Sequence, residues 1–342
     1  MANASIVEVL DCWAATSASS VVSEAPRGFS GAVLRRVETT AGAFALRRWP
    51  SGGAGLPVAR IRELHRWLAW LAEQGVAIVA VPLQSNDGST IVERRGMIWQ
   101  LEPWLQGTAD FHSHPTDERL RSAFTALARL HLASDRYAPT DDGGAWFWRG
   151  SGRPDAVSER LAKLPRTTIV PMDVPSPLVA DPQRRAVVGR MSSAIAVLAP
   201  RIAADLSRFM DVRVPLQPCL RDVWHDHVLF TGDEVTGIID PSAAKTENVA
   251  SDLSRLLGSF LGDSFDRWEI ALAAYAAIRP LSADERRLIP LLDRSGVVLS
   301  ACHWLQRLHM TEVDNQEQER VMSIAERLSS LASREWNPDW CR

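Results

Sequence analysis

A chain of 342 residues, 46% of them hydrophobic and 23% charged, is long enough to bury a sizeable core and to form two lobes that share a site. A formal net charge of −3 excludes the basic excess of a nucleic-acid binder or of a protein drawn to an anionic membrane, so neither is expected as a partner. No apolar run approaches a membrane span, and no charged N-terminal region leads into an apolar one. Cys12, Cys219, Cys302 and Cys341 lack metal spacing, so reduced thiols and a cytoplasmic location are expected.

In chain order, a helix is predicted near Ile6–Thr16, then a Ser/Val strand. Gly28-Phe29-Ser30-Gly31 forms a turn before a strand opening at Ala32-Val33-Leu34, and Phe44–Trp49 follows the Ala41-Gly42 turn. Lys163 and Lys245 are the only lysines, so the early strands offer arginines such as Arg47 and Arg48. Arg60–Gln74 reads as a helix with Ile61, Leu64, Leu68 and Leu71 on one stripe and Gly75 as its stop. Read locally, Glu63 is an exposed acid on that helix. Val76–Leu83 and Gly96–Leu101 read as strands, the second running into Glu102-Pro103-Trp104-Leu105-Gln106-Gly107.

His112-Ser113-His114 alternate as metal ligands can, but without a supporting acidic or thiol cluster they read as loop surface. An amphipathic helix is expected over Glu118–Ser134, with Leu120, Phe124, Leu127 and Leu130 inward. Residues 139–182 look irregular, an insertion or lid too polar and broken for a core element. Their aromatic and acidic residues suit an amine or sugar ligand, and equally a loop anchored by its tryptophans. Helices resume at Gln183–Leu198 and Arg201–Met210. Further helical patterns cover Ser264–Arg279, Asp284–Leu292, Val297–His309 and Gln316–Ser333, with Trp336 and Trp340 packing the tail.

Between these helices lies the stretch Cys219-Leu220-Arg221-Asp222-Val223-Trp224-His225-Asp226-His227. After it, Val228–Phe230 and Val235–Ile239 bracket Gly232-Asp233, a hairpin signal. Folding about that turn returns Asp240 to His225 and His227, with Asp222 up the same loop. Two carboxylates and two imidazoles at one hairpin end suit a metal and a general base.

Arg221-Asp222, His227 and Ile239-Asp240 together resemble the catalytic loop and metal-binding Asp of protein-kinase-like phosphotransferases, nearest to the aminoglycoside and choline kinase-like enzymes. The resemblance implies an α+β, bilobal fold: a small β-rich nucleotide-binding N-lobe over residues 1–103 and a larger α-helical lobe over 104–342 for catalysis and acceptor binding. It implies ATP and Mg2+ or Mn2+ as cofactors, and phosphotransfer to the hydroxyl of a small molecule. Asp222 would orient the acceptor, with His227 and Asp240 on the metal. Gly28, Ser30 and Gly31 would lie over the phosphates. Arg47 would take the place of the phosphate-gripping Lys and Glu63 that of its pairing acid. Residues 102–107 would form the adenine-binding hinge, and Asp252 would brace the catalytic loop. Three departures stand out: Arg47 for Lys, His227 for Asn, and Pro241-Ser242 where protein kinases carry Phe-Gly. They leave a pseudokinase as the alternative, a nucleotide-binding or scaffold module without efficient phosphotransfer. A metal-dependent hydrolase on His225, Asp226 and His227 is outweighed by a hydrogen-bonded loop.

Overall fold

Two-residue alternation gives the N-terminal sheet one apolar and one polar face. The computed structural model describes residues 2–16, 21–24, 32–50, 55–167, 182–310 and 315–333. From the N-terminus come α1 (Ala2–Leu10), β1 (Val21–Glu24), β2 (Val33–Thr39), β3 (Gly42–Arg48), α2 (Val58–Glu73), β4 (Val92–Arg94) and β5 (Met97–Pro103). Next are α3 (Asp117–Ser134), β6 (Gly150–Gly152), α4 (Asp155–Thr167), α5 (Pro182–Arg208) and β7 (Val214–Cys219). The hairpin β8 (Val228–Thr231) and β9 (Glu234–Ile238) precedes β10 (Lys245–Glu247). Four helices close the order: α6 (Ala250–Leu261), α7 (Phe265–Ala276), α8 (Ala283–Met310) and α9 (Asn315–Ser333). The fold is the expected α+β one, with the large sheet towards the N-terminus and helices towards the C-terminus.

The chain forms two compact units, one of Met1–Trp148 with His225–Lys245, the other of Arg149–Trp224 with Thr246–Arg342. In the first, the five strands run antiparallel in the order β1-β2-β3-β5-β4. Val37, Phe44, Leu46, Trp99 and Leu101 on one face form a core with Val9 and Leu10 of α1 and with Trp13. The opposite face carries Arg47, Trp49, Gln100 and Glu102, all buried, because Arg47 lies across from Gln100 and Ala45 from Glu102.

The β8–β9 hairpin belongs to this same unit and is pinned at both ends. Near its turn, Arg119 Nε of α3 donates to the Gly232 carbonyl at 2.9 Å, and the guanidinium lies 5.0 Å from the Phe230 ring centre. Along its length, Thr108 and Phe230 exchange backbone hydrogen bonds of 2.9 Å, and Ile238 N–H donates to the Ile78 carbonyl at 2.7 Å. Gly107 lets this docking happen. Its φ is +112°, and a Cβ there would sit 2.4 Å from Thr236 Oγ1 and 2.8 Å from the Phe230 carbonyl oxygen.

In the second unit, β6, β7 and β10 form a small sheet, and α5 and α8 pack with α4, α6 and α9. Five expectations are corrected. The two helices expected over 183–210 are one, α5, and those over 284–309 are one, α8. Pro200 and Pro290 sit inside them, each lacking a backbone donor. Buried stripes such as Met191, Ile195, Leu198, Ile202 and Leu206 hold the helix together across that defect. Residues 139–182, expected to form no core element, supply α4, whose Ala156, Val157 and Leu164 are buried. Val76–Leu83 is no strand: Pro82 removes a ladder donor, and the stretch makes an isolated bridge between Val79 and Ile238. Finally, α5 holds a stretch of mean hydropathy 1.3 that is long and apolar enough to cross a membrane by length and composition alone. Its apolar stripe is buried within the second unit. The expected tail packing by Trp336 and Trp340 lies outside the described residues.

Candidate active site

The open end of the hairpin sets two of the predicted residues side by side. Val228 pairs with Ile238, and Ile239 N–H donates to the His227 carbonyl at 2.9 Å, so residues 227 and 240 are neighbours. Asp240 adopts the left-handed region, φ 54° and ψ 60°, a conformation disfavoured outside glycine and common at functional sites. Its Oδ1 accepts a hydrogen bond from Arg47 Nη1 at 3.0 Å. Burial alone would raise the Asp240 carboxyl, but Arg47, the Ser242 hydroxyl and His227 outweigh it and hold the group below its ordinary value. The structure therefore brings Arg47, His227 and Asp240 together from segments far apart in sequence.

Arg47 in turn belongs to a buried polar network on its face of the sheet. Its Nη2 lies 3.9 Å from Glu102 Oε1, and Gln100 Nε2 donates to Glu102 Oε2 at 2.6 Å. Gln100 Oε1 accepts from Trp49 Nε1 at 2.7 Å and lies 2.9 Å from His65 Nε2. Burial pushes His65 down to about 4, against the hydrogen bond to Gln100 and with help from the Arg47 charge. Burial also raises the Glu102 carboxyl, opposed by Arg47 and Gln100.

In the second unit, the loop carrying Asp222 is braced as expected by Asp252. That fully buried carboxylate on α6 accepts from Leu220 N–H at 2.8 Å and Arg221 N–H at 2.6 Å. The bonds hold Arg221 at a φ of 65°, another position unusual for a side-chain-bearing residue. Asp222 itself pairs through Oδ1 with Arg255 Nη2 at 2.5 Å, both half-exposed, while Arg221 pairs with Glu159 at 2.9 Å.

Residues 21–291 match the family described as the phosphotransferase enzyme family, APH. The chain belongs to that family. It is 26% identical over 239 residues to a homoserine kinase of Agrobacterium fabrum, covering 67% of this chain and 63% of that protein, so the chain spans less than two thirds of this relative's length. Its fold is similar to that of a microcompartment-associated aminopropanol kinase, with a TM-score of 0.68 at 16% identity and 98% of each chain covered. It is also similar to an amicoumacin kinase solved with AMP-PNP, Ca2+ and Ami, with a TM-score of 0.67 at 13% identity over 95% of this chain and 92% of that one. The fold of this family member is thus protein-kinase-like.

Other predicted residues of this family member have other partners. Glu63 is buried, not exposed; it accepts hydrogen bonds from Tyr137 Oη at 2.5 Å, Thr140 Oγ1 at 2.6 Å and Thr140 N at 3.1 Å, and Arg66 Nη1 lies 3.8 Å away. Burial and the Glu63 carboxylate together raise the Tyr137 hydroxyl. The structure does not bring Glu63 to Arg47. Gly28, Ser30 and Gly31 lie outside the described residues. His225 Nε2 lies 3.2 Å from Asp226 Oδ1, and its ring meets His112, from the segment between β5 and α3, edge-on at 4.5 Å. Sequence reading put Glu102 in the hinge but missed its place beside Arg47, and it missed Arg255. The period-2 pattern could have put Glu102 on the face of Gln100, but only the strand register sets both beside Arg47.

Proposed function

We propose that this family member transfers the γ-phosphate of ATP to a hydroxyl of a small molecule, using a divalent cation. The observation that carries the reading is the convergence of Arg47, His227 and Asp240 at the open end of the hairpin. Asp240 offers a hard carboxylate oxygen kept ionised by its neighbours, and His227 an imidazole nitrogen. That donor set fits a divalent cation which keeps positions free for phosphate oxygens. A bound cation would neutralise charge building up on the phosphates. Arg47 would clamp phosphate oxygens through its planar fork. Asp222 would orient the acceptor hydroxyl and take its proton, on a loop whose backbone Asp252 holds in place. Gly28, Ser30 and Gly31 would cover the phosphates. Residues 1–103 would serve the nucleotide and 104–342 the acceptor.

The relatives support the acceptor class: they are named for homoserine, aminopropanol and amicoumacin, all small molecules. The amicoumacin kinase complex with AMP-PNP and Ca2+ supports a nucleotide with a divalent cation. The scaffold alternative loses weight, because Arg47 and Asp240 remain paired. A coupled ADP-release assay across a panel of hydroxyl compounds, with ATP or GTP and with Mg2+ or Mn2+, tests the reading. Acceptor-dependent ADP release supports it. No nucleotide binding with any metal, by calorimetry, would overturn it.

A further inference from the structure

The acid expected to steady Arg47 is committed elsewhere, since the Glu63 carboxylate takes three hydrogen bonds from Tyr137 and Thr140. A second acid stands in reach. The indole of Trp49 can only donate, so the Gln100 side-chain oxygen must face it, at 2.7 Å. The same oxygen takes a bond from His65, whose other ring nitrogen lies 2.8 Å from the Thr90 hydroxyl. Burial keeps that imidazole neutral, so it donates to Gln100 and accepts from Thr90. With its oxygen thus fixed, Gln100 can only turn its amino group to Glu102 Oε2, at 2.6 Å. This sets the direction of the carboxylate. Its other oxygen, Oε1, then faces Arg47 Nη2 at 3.9 Å, both side chains about one-tenth exposed.

We infer that Glu102, aimed by Gln100, is the positioning residue that holds the Arg47 guanidinium ready for phosphate. The inference rests on the reading of Arg47 as a phosphate clamp. Arg47 sits between two carboxylates, Glu102 and Asp240, with the closer contact to Asp240. Asp240 alone would draw the guanidinium towards the hairpin and away from the sheet. Glu102 supplies the opposing pull. Its longer contact leaves Nη2 free to reach a phosphate oxygen while the charge stays anchored. Glu63 instead ties α2 to the segment around Gly143, where a Cβ would meet its carboxyl group at 2.1 Å. The two acids divide what the family resemblance assigns to one.

Calorimetry with AMP-PNP and with adenosine, each in Mn2+ and Mg2+, tests this on Arg47→Ala, Glu102→Gln and the double variant. Glu102→Gln keeps shape and hydrogen bonding but removes the charge. It is expected to weaken AMP-PNP by about tenfold and leave adenosine within about twofold. The double variant should be no weaker than Arg47→Ala alone, because both changes break one coupled contact. In turnover, KM for ATP should rise while KM for the acceptor stays. A selective loss in Arg47→Ala with none in Glu102→Gln overturns the role of Glu102 and leaves the phosphate clamp standing. No selective loss in Arg47→Ala overturns both. If Glu102→Gln does not fold, Gln100→Leu takes its place, since it removes the amide that aims the Glu102 carboxylate. It must show the same selective loss of AMP-PNP, and equal weakening of AMP-PNP and adenosine overturns the inference.

Discussion

Asp222 and Asp240 are both aspartates on loops, yet their surroundings suit them to different work. Asp222 is half-exposed beside Arg255, whereas Asp240 is held ionised by Arg47 in a strained backbone conformation. Asp222→Asn is expected to lower turnover by roughly 10²–10⁴-fold, the usual worth of a positioned base, with AMP-PNP affinity unchanged. Single-turnover kinetics beside calorimetry check this, and full phosphotransfer by the variant would remove Asp222 from the mechanism. Asp240→Asn should instead abolish the metal dependence of AMP-PNP binding. His227 brings a softer donor than the Asn of the family pattern, so Mn2+ should outperform Mg2+, and His227→Asn should move the preference back towards Mg2+. An unchanged ratio of the two metals in that variant would mean that His227 makes no metal bond.

At the scale of elements, the docking of the β8–β9 hairpin decides whether Asp240 reaches Arg47 at all. Gly107 is its tightest point. Gly107→Ala adds a methyl against Thr236 and backbone, in a backbone conformation costing about 1–3 kcal/mol for other residues. Urea unfolding should show at least that loss, together with weaker AMP-PNP binding, and a variant as stable as the parent would place the hairpin's hold elsewhere. Local chemistry made this hairpin legible in the sequence, because the Gly232-Asp233 turn and its apolar flanks need no distant partner to be recognised. The α2 and α3 helices were legible for the same reason, through their stripes. What local chemistry hid was whatever depends on burial elsewhere. Pro200 read as a break, and residues 293–296 as another, because the buried stripes that outweigh them are tertiary facts. Val76–Leu83 has strand-forming residues but no neighbouring strand to pair with along its length. Of the predicted residues, His227 and Asp240 were readable as neighbours from the hairpin. Glu102 was not, because its relation to Arg47 exists only in the register of β3 against β5.

Across the whole molecule, His65 gives acid stability a recognisable signature. Its folded value of about 4 lies below the ordinary 6.5, so between those limits the unfolded chain binds the extra proton. Stability from this group is present above pH 6.5 and is lost as pH falls towards 4, by on the order of 3 kcal/mol. Burial shifts Glu102, Glu247 and Asp293 upward, which works in the opposite direction, so the comparison must be with a variant. His65→Gln should flatten the fall in urea midpoint between pH 7 and pH 4, and parallel curves for the two proteins would show that His65 is not the group responsible. The make-up of the first unit carries a consequence for the chain's birth. Its two stretches are separated by residues 149–224. At translation rates of about 5–20 residues per second, those residues take roughly 4–15 s to emerge. For that interval the nascent sheet has been made while the strand that will pair with Thr108 and the carboxylate that will meet Arg47 have not. The newborn protein passes through a stage in which the Thr108 backbone and the closer of the two carboxylate contacts of Arg47 are still unmade, and it is there that chaperones or proteases would find it.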